Sequence, residues 1–193
     1  MSKGRMEAFS DGVIAILITI MVLELKIPHG ADWEALRSVL PVFLTYVLSF
    51  IYLGIYWNNH HHMLYATERI DGRVLWANMH LLFWLSLVPF ATDWMGENHF
   101  ARIPTIVYGI ALLMPAIAFY VLTHTIIRHQ GAGSALARAL GRDLKGRVSV
   151  VLYIAGLLLA LVDTRIAGAI YVLVAVIWLV PDRRIERAIR DSR

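Results

Sequence analysis

The feature that most limits how this chain can fold is a series of long apolar blocks parted by short charged segments. The first runs Gly12-Val13-Ile14-Ala15-Ile16-Leu17-Ile18-Thr19-Ile20-Met21-Val22-Leu23 without one charged side chain. A helix that crosses a bilayer needs ~20 predominantly apolar residues, and the blocks approach or reach that length. The chain therefore reads as an all-α integral membrane protein. Its charged fraction of 17% agrees, since soluble domains carry about 25%.

Six spans are expected, at roughly 8–27, 39–60, 74–95, 103–127, 147–162 and 165–181. Together they make one domain over 1–193 and leave no room for a sizeable soluble one. Pro89 and Pro115 fall inside the third and fourth spans and predict kinks. The first block lacks a small-residue cleavage site and ends in Glu24-Leu25-Lys26-Ile27-Pro28, so it reads as a retained helix, not a signal peptide. Asp163-Thr164-Arg165 predicts a tight hairpin between the last two spans. Gly131-Ala132-Gly133-Ser134-Ala135 reads as a flexible connector, and Ser134–Lys145 as a short surface helix.

Orientation follows from Lys and Arg. Fourteen of the eighteen fall on the side of the N-terminus, the 2–3 loop, the 4–5 loop and the C-terminus. Only Lys26, Arg37, Arg102 and Arg165 fall on the other. Both termini are expected to face the cytoplasm. The pI near 9.6 then reflects basic loops meeting anionic lipid, with no nucleic-acid partner. The basic stretch Asp182–Arg193 is expected along the membrane surface. There are no cysteines, which removes thiol chemistry and Cys metal sites.

At 100° per residue, with Ile16 at zero, Ile20 falls near about +40°, Leu23 near about −20° and Thr19 near about −60°. Phe9 and Arg5 fall near about +20° and −20°, whereas Ser10 and Asp11 fall near about +120° and −140°. One stripe thus carries Ile16, Ile20 and Leu23, with Thr19 beside it. Taken alone, such a stripe fits helix packing or lipid contact as well as a pore wall. Asp11, expensive at the mouth of an apolar helix unless partnered, is turned away from the stripe. It is expected to organise the helix and not to touch an ion. No Thr-Val-Gly-Tyr-Gly filter is present.

Trp57-Asn58-Asn59-His60-His61-His62 is expected to close the second span at the level of Arg5 and Asp11. Three consecutive helical histidines point 100° apart and cannot converge on one metal ion, so no metal site is expected. A structural network fits better, with an imidazole N–H donated to Asp11 and Trp57 packing at the interface. Near-neutral titration of histidine leaves a pH-sensing role open. Asn78 and His80, within the third span, read as hydrogen-bonding groups between helices. Asp93 reads as a snorkelling or capping residue, and Glu24 as a solvated helix end or an outer ring that concentrates cations.

The pattern Arg5-x-x-x-Phe9-Ser10-Asp11 at the head of a first transmembrane helix resembles the transmembrane-protein-175 potassium-channel family. The resemblance implies six spans per bacterial chain, a homotetramer, and a pore lined by the first helix. It implies a constriction of bulky aliphatic side chains with a hydroxyl layer, at positions that match Ile16, Thr19, Ile20 and Leu23. The family's Trp-x-x-His pair is matched by Trp57 and His60, with His61 the next candidate. The expected activity is potassium-preferring cation conduction, with K⁺ as permeant ion, in the cell membrane amid lipid. No cofactor, catalytic residue or metal is expected, and the chain is not expected to be an enzyme. The rival is a proton channel or proton-coupled carrier that uses Asp11 and His60.

Overall fold

The computed structural model describes residues 2–131, 133–141 and 143–179, with backbone alone at 139 and 140. The basic tail expected over 182–193 lies outside these residues. The described chain is all-helical. In order come α1 (Lys3–Leu23), α2 (Trp33–Ser38), α3 (Leu40–Tyr65), α4 (Gly72–Ser86), α5 (Val88–Glu97), α6 (Arg102–Gln130), α7 (Ala135–Leu140), α8 (Leu144–Leu159) and α9 (Thr164–Leu179).

Four segments among the described residues are long and apolar enough to cross a membrane: α1, α3, the α4–α5 pair and α6. The chain is thus a multi-pass membrane protein. Helix α8 has 16 residues, about 24 Å at 1.5 Å per residue against a ~30 Å hydrocarbon core, shorter than a perpendicular crossing needs. The described part of α9 also has 16 residues.

Local chemistry sets most of the boundaries. α1 begins at Lys3, five residues before the expected start, and ends at Leu23, before Glu24. α3 runs on to Tyr65, so the three histidines lie within the helix and do not close it. The two prolines act differently. Pro89 lacks the N–H that would bond Leu85, and the third segment breaks at Leu87 into α4 and α5. Pro115 leaves α6 a single helix over 29 residues. Asp32, Asp71, Ser134 and Asp143 cap α2, α4, α7 and α8 by accepting backbone N–H bonds. The helix expected over Ser134–Lys145 spans only six residues, Ala135–Leu140, because Gly141 and the Asp143 cap end one helix and begin another.

The helices run up and down, so one end of the molecule carries the N-terminus, the C-terminal end of α3, the start of α4, the end of α6 and the start of α8. Lys3 meets Tyr65 there, and Asp71 lies 3.5 Å from His129. Toward this end a core of Met6, Ile14, Leu53, Leu64, Leu81 and Leu122 joins α1, α3, α4 and α6. A second core, with Tyr52, Met95, Tyr108, Tyr153 and Tyr171, joins α3, α5, α6, α8 and α9. Gly96 permits the close approach of α5 to α3, since a Cβ there would stand 2.7 Å from the Val42 Cα.

Candidate functional site: the two faces of the first helix

α1 divides into two faces. Met6, Ser10, Ile14, Leu17 and Met21 recur at spacings of three and four and are buried against α3 and α4. On the opposite side Phe9, Ile16, Ile20 and Leu23 are exposed, and Leu23 retains 79% of its surface. Gly12 and Thr19 lie on that side as well. In a water-soluble protein such a stripe would be costly. In a membrane protein it faces lipid, another copy of the chain or a pore.

The Thr19 hydroxyl lies 3.0 Å from the carbonyls of both Ala15 and Ile16. Its one proton is held by the helix backbone, which leaves its two lone pairs free on an exposed side chain. A hydroxyl in that state can accept a cation and has no proton to offer an anion.

The buried face is fixed by a polar chain. Ser10 donates to the Met6 carbonyl at 2.8 Å and accepts from Asn78 Nδ2 at 2.9 Å. Asn78 Oδ1 in turn lies 2.7 Å from His60 Nε2. With the carbonyl oxygen of Asn78 as acceptor, His60 is the Nε2–H tautomer. Ser10 and His60 have no exposed surface, and Asn78 keeps 2%. His60 Nδ1 finds no protein partner among the described residues.

Beside this chain runs a ladder between α1 and α3. Lys3 donates to the Tyr65 carbonyl at 3.3 Å, Glu7 Oε1 meets His61 Nδ1 at 3.2 Å, and Asp11 accepts from Trp57 Nε1 at 3.1 Å. Each step moves four residues forward on α1 and four back on α3, one rung per turn of an antiparallel pair.

Several expected contacts differ. The donor to Asp11 is the Trp57 indole, not an imidazole, because His60 is turned toward α4 and His61 toward Glu7. His62 lies against His61, ring centroids 5.7 Å apart. The three histidines diverge, as the 100° step requires. His80 serves its own helix, accepting from Trp84 Nε1 at 2.8 Å, and so does not bridge helices. Arg5 is exposed and makes no hydrogen bond or ion pair among the described residues. Asn78 joins the site as its hinge residue. Glu7 and Lys3 are members that motif reading missed; the signal was the four-residue spacing of Lys3, Glu7 and Asp11 against Trp57, His61 and Tyr65.

At the other end of α1, Lys26 pairs with Glu97. The exposed ammonium is pushed above the usual lysine range, first by its hydrogen bond to Glu97 and then by the Glu97 charge. The pair ties the segment after α1 to the end of α5.

The family model described as "Endosomal/lysosomal potassium channel TMEM175" matches residues 5–89, the stretch that contains both the ladder and the Ser10–Asn78–His60 chain. A protein from Chryseobacterium sp. (strain P1-3), named as a potassium channel, is 52% identical over 192 residues, covering 100% of each chain. A protein of Gallus gallus named as an endosomal/lysosomal proton channel is 40% identical over 81 residues, which is 35% of this chain and 16% of that one. The crystal structure of a lysosomal potassium-selective channel TMEM175 homolog from Chamaesiphon minutus superposes with a TM-score of 0.80 at 30% identity, covering 93% of this chain and 97% of that one. The chain belongs to the TMEM175 ion-channel family.

Proposed function

We propose that the chain is a potassium-preferring cation channel of the cell membrane, built as a homotetramer with α1 of each subunit around a central pore. α8 and α9 complete six spans per subunit, and both termini face the cytoplasm. The observation that carries this reading is the division of α1. One face is locked by hydrogen bonds to α3 and α4, and the other presents Ile16, Ile20 and Leu23 unpartnered. The full-length similarity to a protein named as a potassium channel supports it.

In this arrangement Ile16, Ile20 and Leu23 form apolar rings that control the pore by dewetting. Stripping an ion of its water costs on the order of 20 kcal/mol in the idealised limit. Conduction therefore requires the rings to part around a largely hydrated ion. Thr19 offers outward lone pairs that replace part of the shell. A narrow and weakly coordinating constriction favours potassium, which holds water less tightly than sodium. Arg5, Phe9, Ser10, Asp11, Trp57, His60 and His61 position the helix.

The proton-carrying alternative draws on the name of the chicken relative. Its proposed relay, Asp11 to His60, is not joined in the structure: Asp11 bonds Trp57, and His60 bonds an amide. A carboxamide is not an acid–base group at neutral pH. The test is cation flux in liposomes holding the purified protein, first down a potassium gradient and then down a sodium gradient. Faster potassium flux with no pH gradient supports the channel. Flux that appears only with an imposed pH gradient supports the alternative.

A further inference from the structure

We infer that the protein binds the acyl chain of an anionic phospholipid in an intramolecular slot near its N-terminal end. A cavity of about 470 Å³ lies between α3 on one side and α6 and α8 on the other. That volume falls within the ~300–1,000 Å³ of ligand sites. Its walls are mainly apolar and aromatic: Tyr52, Tyr56, Ile117, Phe119, Val150 and Tyr153.

Length and polarity identify the occupant. On α3 the slot reaches from Tyr52 to Met63, about 17 Å at 1.5 Å per residue. That is close to half of a ~30 Å hydrocarbon core, the depth of one leaflet. Its deep end lies among Tyr52, Ala116 and Tyr153, and its other end carries Asp143, Gly146 and Arg147. The Asp143 carboxylate is engaged by the backbone N–H of Gly146 at 3.1 Å. Arg147 is exposed, with no hydrogen bond or ion pair among the described residues. The Lys145 ammonium stands 5.9 Å from the ring of Trp178, another wall residue. Arg147 supplies a planar fork suited to phosphate and favours an anionic headgroup, the carboxylate beside it being engaged by its own helix cap. A chain entering from the leaflet on this side would lie along the slot with its phosphate at Arg147. This inference takes from the proposed function only the placement of this end at the cytoplasmic leaflet.

The test uses the full chain in nanodiscs of phosphatidylcholine doped with phosphatidylglycerol that carries a photoreactive acyl group. Cross-linked positions are mapped by mass spectrometry. Labelling is expected on the slot walls of α3, α6 and α8, with displacement by unlabelled phosphatidylglycerol and not by added phosphatidylcholine. Arg147→Gln is expected to lower it about tenfold, the loss of one charge-assisted contact, with Arg147→Lys retaining more. Val150→Trp, which fills the slot, is expected to abolish it, elution volume confirming assembly. Labelling confined to outward positions such as Val151 and Leu158, or equal displacement by phosphatidylcholine, would show ordinary boundary lipid and overturn the inference. So would labelling by a photoreactive free fatty acid alone. Ion flow is not read, so a protein that conducts nothing can still pass or fail this test.

Discussion

Replacing Asn78 by alanine tests whether α1 is held by its buried polar chain. Asn78 hydrogen-bonds both Ser10 and His60. Its loss leaves the His60 N–H unpaired in a site with no exposed surface. His60 Nδ1 has no partner among the described residues, so a shift of the proton to that nitrogen finds no acceptor either. An orphaned buried donor costs about 1–3 kcal/mol, and the lost bond to Ser10 about 0.5–1.5 kcal/mol. Together these predict a destabilisation of about 1.5–4.5 kcal/mol for Asn78→Ala. Ser10→Ala strands only one Asn78 N–H and is expected to cost about 1–3 kcal/mol. Since the two substitutions break one shared bond, the double variant is expected to fall short of the sum by about 0.5–3 kcal/mol. Reversible SDS unfolding of the purified protein, followed by circular dichroism, measures all four corners of the cycle. A neutral Asn78→Ala variant, or strict additivity with Ser10→Ala, would refute the argument.

Other residues of α1 and the loops give separate outcomes. Ile16→Asn is expected to wet the constriction and raise potassium conductance in planar bilayers; unchanged currents from a normally assembled protein would count against Ile16 as a gate. Asp11→Ala removes the acceptor for Trp57, a half-exposed partner. It is expected to cost about 0.5–1.5 kcal/mol, whereas Asp11→Asn keeps an acceptor oxygen and stays near wild type in the same SDS assay. Asp71, at the cap of α4, has its carboxyl held below the usual range, chiefly by the backbone N–H of Val74 and then by the His129 charge. A depressed pKa means that its stabilisation is full above the unfolded carboxylate value and is lost as pH falls through the folded one. Unfolding midpoints are therefore expected to drop below about pH 4, and Asp71→Asn to reduce that drop.

Hydropathy and local motifs made most of the helical layout legible. The apolar blocks located the helices because membrane insertion depends on length and polarity alone. The helical projection of Ile16, Ile20 and Leu23 agrees with their shared exposure, since it needs no knowledge of any neighbour. The polar partners were a different matter. The sequence puts Asp11, Trp57 and the histidines at one level, but the pairing of the imidazoles depends on how α3 is rotated about its axis, which no local pattern fixes. A rotation of one residue, 100°, separates His60 facing α4 from His61 facing α1. Proline reading was also incomplete. Pro89 and Pro115 look alike in sequence, yet only the first falls at a break between helices. The slot between α3, α6 and α8 left no mark in the sequence, because it is defined by where helices fail to touch.

The division of α1 has a consequence for how stability and conduction can vary independently. The positions that hold the helix recur at Lys3, Glu7 and Asp11 on the ladder and at Met6, Ser10, Ile14, Leu17 and Met21 on the buried face. The exposed stripe begins at Phe9 and continues through Ile16, Ile20 and Leu23. No side chain belongs to both sets, and the hydroxyl of Thr19, beside the stripe, bonds only its own helix. The polar fastenings are concentrated in the first three turns, whereas the aliphatic positions proposed for the constriction lie in the last three. Beyond Ser10 and Asp11 the buried side of α1 is held by apolar packing, which is non-directional and tolerates small shifts, and among the described residues the far end is tied only through the exposed Lys26–Glu97 pair in the segment after the helix. A helix anchored by directional bonds at one end and by packing at the other can pivot about the anchored end. At a distance of about 18 Å along the axis, the twelve residues from Asp11 to Leu23, a tilt of about 10° would move Leu23 by about 3 Å. In the proposed tetramer such a shift would part the Leu23 side chains and wet the three apolar rings, with the Ser10–Asn78–His60 chain intact. Variants of the ladder should then alter assembly before they alter permeation, and variants of the stripe the reverse.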